Sequence, residues 1–435
     1  MSLNILIIGA GVCGPALALL LQKANPKHTI TVIERFPSLR TGGQQIDLKD
    51  QGVPIMKKMG LLNTLKQHLV AESGMELVDK NGKSLMQFGV DSAEGGGHGL
   101  ALTNELEFMR GDIVKIFYDA SLEERARAEE NGEVEGGLKY EFSETVTALE
   151  QDHDGATVTF SNGQKKRYDL VVAADGQGSR TRRLAFGEKI STEAFKSLGI
   201  HAAYYNIPRL PSEDSLARIY FGPQSRMVVT RAGDRPETQV YFFLMREQAR
   251  HEEMKKTYKQ SIEQQKEAWT GIYKDAGWES KRLLEGLKTV EDFYSCEIGQ
   301  VKMPQLHTGR VVLLGDAGYC PSSFTGMGTT LSLIGTYVLA GELAKHGNDL
   351  EAALKAYNET MREPIAECHK LSPGTQGGFY PSSELGIRIT NNILWTMSCF
   401  KVDKMIKWVL GWLPEDKAAW TIPEYPELNL TGEKS

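Results

Sequence analysis

Asn4-Ile5-Leu6-Ile7-Ile8-Gly9-Ala10-Gly11-Val12-Cys13-Gly14 decides how this chain folds. A short run of β-branched and leucine residues enters a G-x-G-x-x-G turn, and the apolar run Pro15–Leu21 follows at once. The pattern predicts a buried strand, a tight turn and a helix. The free N–H groups at that helix's start then face an anion, here a dinucleotide pyrophosphate. Gly9 permits the turn, Gly11 lets backbone approach phosphate, and Gly14 lets helix and strand close together. Working outward, Thr29–Ile33 reads as a second strand. It ends at Glu34, twenty residues past Gly14, where a carboxylate accepts hydrogen bonds from ribose hydroxyls.

With 435 residues, the chain is long enough for two or three domains. Hydrophobic residues make up 41% and charged residues 24%, which suits a globular protein with a large core. A net charge of −6 argues against nucleic-acid binding, which needs a basic face. No run of 18 apolar residues suggests a membrane span. Leu3 already enters the first strand, so no signal peptide is expected and a cytoplasmic location is. Cys13, Cys296, Cys320, Cys368 and Cys399 follow no ligand spacing; free thiols and no metal site are expected.

Further along, Ile46–Leu48 reads as a short strand and Pro54–Leu69 as one amphipathic helix. Asn81-Gly82, between strand-like runs at 75–78 and 85–88, signals a type I′ hairpin, and Ser161-Asn162-Gly163 marks another hairpin turn. His98, in a glycine-rich loop, reads as solvated. Arg110 opens a helix reaching to about Ala128. A cation at a helix start implies an anionic neighbour; pairing with Glu107 or Asp112 is the alternative. The strand at 168–174 runs into Asp175-Gly176, a turn at a strand's carboxyl end, where α/β folds bind ligands. Between about 182 and 284 the pattern changes to antiparallel strands and one charged helix over 247–273. Arg218, Tyr220 and Arg231 lie on these strands, with packing, solvent and substrate contact all open. The α/β pattern returns at Val311–Leu314, followed by Gly315-Asp316, a loop over 321–328 and a helix apolar on nearly every side. Two tryptophan-bearing helical stretches near 382–399 and 402–413 are too interrupted by charge to anchor in a membrane and read as a helical cap.

Three motifs in order, namely Gly9-x-Gly11-x-x-Gly14 with Glu34, Asp175-Gly176, and Gly315-Asp316 with its loop, resemble the single-component FAD-dependent aromatic hydroxylases. This is the para-hydroxybenzoate hydroxylase group. Gly42-Gly43-Gln44-Gln45-Ile46-Asp47-Leu48 and the chain length look closest to the fungal natural-product and tetracycline-inactivating monooxygenases. The resemblance implies an α/β fold: a Rossmann-like FAD-binding domain of glutathione reductase type, an inserted antiparallel-sheet substrate domain and C-terminal helices. The expected FAD-binding segments are 1–74, 100–181 and 285–370; the substrate domain takes 75–99 and 182–284, and the cap 371–435. The implied cofactor-binding residues are Gly9, Gly11, Gly14, Glu34, Arg35, Gln45, Arg110, Asp175, Asp316, Gly326, Met327 and Gly328. Asp316 would bond the ribityl chain, and the 321–328 loop would run along the flavin ring. Where the family usually has Asp-Ala-Ala-His, this chain has Asp316-Ala317-Gly318-Tyr319.

The implied activity is NAD(P)H-dependent monooxygenation. Transiently bound NADPH (or NADH) reduces FAD, O2 adds at C4a, and the hydroperoxide hydroxylates or epoxidises an aromatic or polycyclic small molecule of secondary metabolism or xenobiotic inactivation. Such an enzyme would be a monomer or homodimer. No catalytic acid or base is singled out, because the cofactor carries the chemistry. Baeyer–Villiger oxygenation on the same scaffold and flavin-loaded binding without turnover are the rivals. The halogenase W-x-W-x-I-P is absent, and so is F-x-G-x-x-x-H-x-x-x-W.

Overall fold

A computed structural model describes residues 2–40, 42–89, 106–133, 135–245, 248–371, 383–399, 420–430 and 432. His98 and the 402–413 stretch lie outside these residues.

Two sheets organise the molecule. The first has six strands in the order His307–Thr308, Val311–Leu313, Leu170–Ala173, Asn4–Ile8, Thr29–Glu34, Gly137–Phe142. All its pairings are parallel except that of the edge strand His307–Thr308. Ile5, Leu6 and Ile7 are fully buried because helices cover one face and the three-stranded sheet 146–168 the other. Helix Cys13–Ala24 and helix Gly328–His346 pack together on the first face. Arg110–Glu130 lies beside them and is one 21-residue helix, as the sequence predicts.

The second sheet has seven strands in the order Tyr294–Val301, Phe195–Pro208, Glu237–Met245, Arg226–Arg231, Leu216–Gly222, Gly74–Val78, Ser84–Phe88. It is antiparallel apart from one parallel pair, Leu216–Gly222 with Gly74–Val78. The 75–88 hairpin therefore joins the later strands, as its break in the α/β pattern suggests. Sheet membership also extends past residue 284, since Tyr294–Val301 bonds to Phe195–Pro208 along its length.

Local differences from the sequence reading have identifiable causes. The Asn162-Gly163 turn joins the antiparallel strands Ala156–Phe160 and Lys165–Tyr168 as expected, but the Asn81-Gly82 hairpin is not type I′. Gly82 and Gly163 have positive φ, but Asn81 and Asn162 do not. The Gly82 N–H donates to the Asp79 carbonyl at 3.0 Å, while the Asp79 carboxylate takes the N–H groups of Asn81 and Lys83. Such side-chain capture favours a type I turn followed by a left-handed glycine. The 54–69 helix divides into Gly52–Met59 and Leu62–Lys66 at Gly60, whose φ is +76°. The charged 247–273 helix divides into Gln248–Thr257 and Ile262–Tyr273, because Ser261 and Gln264 form a capping box. At the C-terminus, helix Glu384–Cys399 lies beside Ser84–Phe88. The 420–430 segment is not a helical cap but an extended strap with one short 3-10 turn. Tyr425 packs where a Cβ on Gly341 would stand and donates to Glu342 at 2.6 Å. Among the described residues, no helix is long and apolar enough to cross a membrane.

Candidate functional site: a dinucleotide cradle between two sheets

The glycine turn is fixed by contact distances. Gly9 has φ +111°, and a Cβ there would stand 2.5 Å from the Ala174 carbonyl oxygen; one on Gly14 would stand 2.1 Å from the Gly9 carbonyl oxygen. No side chain caps helix Cys13–Ala24, and its first turn holds no acid, so its leading N–H groups are free for an anion. Glu34 is held at the strand end: its carboxylate accepts the Ala10 N–H at 3.0 Å and the Phe36 N–H at 3.1 Å. Lone pairs remain for hydroxyl donors.

Arg110 reaches back over this turn. Its guanidinium would touch a Cβ on Gly11 at 3.3 Å, and its stem lies against Gly43, where φ is +126°. Both carboxylates offered as partners are taken by other arginines: Glu107 by Arg231, and Asp112 by Arg235 at 3.0 Å. Arg110 Nη1 is buried with no hydrogen-bond partner among the described residues. Burial pulls the guanidinium below its ordinary value, Arg40 adds to this, and Glu34 and Asp316 oppose it. An arginine does not shed its proton, so a buried, partly unpaired one marks a place for a bound anion.

Asp316 ends the Val311–Leu313 strand region, beyond Gly315, where φ is +63° and a Cβ would meet Cys13 Sγ at 2.6 Å. Burial raises its carboxyl above the ordinary value, while a hydrogen bond from Cys320 and the charge of Arg110 hold it down. Arg110 and Asp316 are both desolvated by surrounding protein yet keep accessible surface, as side chains lining a deep cleft do. The Tyr319 that replaces the family's usual histidine points into the core. Its hydroxyl meets that of Tyr357 at 3.0 Å, in space that only glycine at 335 leaves open.

Asp175 follows the strand Leu170–Ala173, which lies between the strands Asn4–Ile8 and Val311–Leu313. Its carboxylate accepts the Thr181 N–H at 3.1 Å and hydroxyls of Ser179 and Thr181, so it supports the first turn of helix Arg180–Phe186, which Ser179 caps. Arg182, which no motif marks, ties the two loops together. It is buried and donates to the carbonyls of Ala317 at 2.7 Å and Gln177 at 2.8 Å. Gln45 is also placed otherwise than the resemblance implies. Its side chain bonds to Glu107 and Gln239 within a buried network that includes Arg231, Glu72 and Tyr241. Arg35 is exposed and stacks on Phe36 at 4.9 Å. Arg40, which the sequence reading leaves out, lies over Phe36 and Tyr294 and adds positive charge beside Arg110.

The 321–328 loop completes the cleft. Ser322 has φ +83°, a strained value for a non-glycine residue, stabilised by Ser322 accepting the Phe324 N–H and the Thr325 hydroxyl. Gly326 is left-handed, and helix Gly328–His346 begins without a side-chain cap or an acidic first turn. The Gly326 N–H is taken by the Ser323 carbonyl at 3.3 Å and the Met327 N–H by the Thr325 hydroxyl at 3.2 Å, so the donors left free at this end of the cleft begin at Gly328.

Opposite stands one face of the seven-stranded sheet, carrying Tyr204, Tyr241 and Phe243, with Phe243 and Phe324 edge to face at 5.6 Å. Of the residues left open on these strands, Arg218 pairs with Glu76 and Asp214, Arg231 with Glu72 and Glu107, and Tyr220 donates to the Ala276 carbonyl on the other face. None is a free recognition group. Cys13, Cys296, Cys320 and Cys368 are free thiols; burial pushes Cys13 up to about 11 and Cys296 up to about 12, so neither supplies a thiolate. No metal-ligand cluster occurs among the described residues.

The FAD binding domain family matches residues 2–369, and the chain belongs to it. The chain is 38% identical to "FAD-dependent monooxygenase asL6" of Sarocladium schorii, over 99% of this chain and all of that one. It is 31% identical to "Monooxygenase CTB7" of Cercospora beticola, over 99% and 98%. Among solved structures, tetracycline destructase Tet(55) superposes with a TM-score of 0.73 at 27% identity, covering 98% of this chain and 99% of that one.

Proposed function

We propose that this member of the FAD binding domain family is a monooxygenase that reduces bound FAD with NAD(P)H and uses O2 to hydroxylate or epoxidise an aromatic or polycyclic small molecule. The observation that carries the reading is Arg110. It is a buried cation with an unpartnered Nη1, held over a glycine turn that leaves no room for a Cβ and facing a desolvated carboxylate, Asp316. A ligand with an anionic middle and hydroxyls on both sides satisfies all three features, and FAD is such a ligand.

In this reading the Gly9–Gly14 turn and the following helix hold the pyrophosphate, with Arg110 beside them. Glu34 holds the adenosine ribose, and Asp316 the ribityl hydroxyls. The free N–H groups at the start of helix Gly328–His346 would face the flavin ring, with Gly326 and Met327 shaping the loop beside it. Asp175 and Arg182 position these loops without touching the cofactor. Bound FAD supplies the electron transfer and the oxygen chemistry. The chain's own residues orient it and present an aromatic wall from which water is excluded. The relatives named as monooxygenases support the activity, and the tetracycline destructase supports a polycyclic aromatic substrate.

Purified protein is expected to be yellow and to release FAD on denaturation. It should oxidise NADPH or NADH faster when aromatic polyketides or indole alkaloids are supplied, with a product heavier by one oxygen. Protein that stays colourless after reconstitution with FAD overturns the reading.

A further inference from the structure

Asp47 and Lys49 stand apart from the residues assigned to FAD in that reading. They form an ion pair against the 321–328 loop, with side chains 19% and 32% exposed. A Cβ on Gly326 would stand 2.9 Å from Lys49 Nζ and 3.3 Å from an Asp47 carboxylate oxygen. The backbone of Lys49 is clasped to the start of the buried helix: its N–H donates to the Thr330 hydroxyl, and that hydroxyl donates to its carbonyl, both at 3.0 Å. Asp47 ends the strand Gln45–Asp47, which pairs with Glu107–Met109, and Arg110 follows directly. The pair is thus tied both to the start of the buried helix and to the strand that leads into Arg110, and its ammonium lies beside the glycine where the loop passes into the helix.

We propose that Lys49, held by Asp47, tunes the electron affinity of the flavin bound against this loop. The proposal rests on the FAD reading above. Oxidised flavin is neutral. Taking two electrons and one proton from a reductant would leave the ring with one negative charge, which in that reading would lie against this loop. A fixed ammonium there favours the reduced form, and a carboxylate disfavours it. The helix start contributes only partial charge. Lys49 and Asp47 add one full charge of each sign, so removing either leaves the other uncompensated. Gly326 keeps the ammonium in place, because any side chain at that position would displace it.

The test is the reduction potential of the FAD-loaded protein, titrated with dithionite against a reference dye. Lys49→Met should lower the reduced-to-oxidised ratio at a fixed poise by roughly tenfold, a shift of about 30 mV for a two-electron couple. Asp47→Asn should raise the ratio by a similar factor. Lys49→Arg and the double variant should both stay near wild type. These shifts of opposite sign cannot come from general loosening of the fold, which does not distinguish the sign of the charge removed. Lys49→Met and Lys49→Gln at the wild-type potential, or both single-charge changes moving it the same way, overturn the proposal while leaving the FAD reading intact. Wild-type protein that takes up no FAD overturns both.

Discussion

Phe242 and Phe243 are neighbours on one strand, yet they belong to different parts of the molecule. Phe242 points to the face covered by the helices of residues 248–289; it is fully buried and stacks on Tyr273 at 4.0 Å. Phe243 points toward the 321–328 loop and keeps 8% of its surface, as do Tyr204 and Tyr241 beside it. Both faces carry clusters of buried apolar side chains. One is sealed by Trp269, Tyr273 and Leu283, and the other is left as a wall of the cleft. Hydrophobic alternation in a strand therefore separates two faces without saying which is for packing and which for binding.

The largest expected effect comes from breaking this pair apart. Phe242→Ala should cost about 3–5 kcal/mol of stability, as for a large aromatic deleted from a closed core. Phe243→Ala should cost clearly less and should instead raise the KM for an aromatic substrate. Urea unfolding and steady-state kinetics on both variants decide it, and equal losses of stability would show that the two faces are packed alike.

A second test uses a buried histidine on the sealed face. His201 is hydrogen-bonded to Tyr258 at 2.7 Å and to His251 at 2.8 Å, with Lys255 and Glu297 nearby. Burial, then His251 and Lys255, pull it down to about 4. Because the folded value is depressed, its contribution is fully present above about pH 6.5 and is lost as the pH falls toward 4, on the order of 3 kcal/mol. His28, also held at about 4, mainly by burial, behaves the same way in the other half of the molecule. His201→Asn should make the loss clearly smaller, measured as unfolding free energy between pH 7 and 4. An unchanged slope would mean that His201 titrates freely.

The open side can be probed through its unpaired charge. Arg110→Ala should weaken FAD binding by roughly tenfold to a hundredfold, since a charge-assisted hydrogen bond contributes about 1.5–3 kcal/mol. Asp175→Asn should leave FAD affinity closer to wild type but lower stability, because its carboxylate supports a helix's first turn. Titrations in which Asp175→Asn loses more affinity than Arg110→Ala would reverse these roles.

The smallest effect returns to neighbouring residues. The Tyr205 hydroxyl donates to the Leu283 carbonyl on the sealed face, so Tyr205→Phe should cost about 1 kcal/mol of stability. Tyr204→Phe, on the open face, should change stability little and turnover more. A thermal shift larger for Tyr204→Phe than for Tyr205→Phe would count against the division.

By itself the sequence determined the nucleotide-binding core. Glycine spacing, strand runs and the acid at 34 act over short distances, so Gly9, Gly14 and Glu34 stand where local chemistry puts them. It also marked Arg110, because a cation at a helix start is locally unfavourable and needs an outside reason. Only the tertiary structure decided the rest. Asp175 could hold a ligand or support a helix until Ser179 and Thr181 folded onto it. Gln45 looks like a cofactor residue until Glu107 and Gln239 engage its amide. Arg182 joins carbonyls at 177 and 317, and Lys49 meets Gly326 far along the chain. Such contacts leave no periodicity or spacing behind. The choice between the two faces of the larger sheet was likewise made by helices that cover one of them, because residues alternating along a strand are equivalent until something packs against one side.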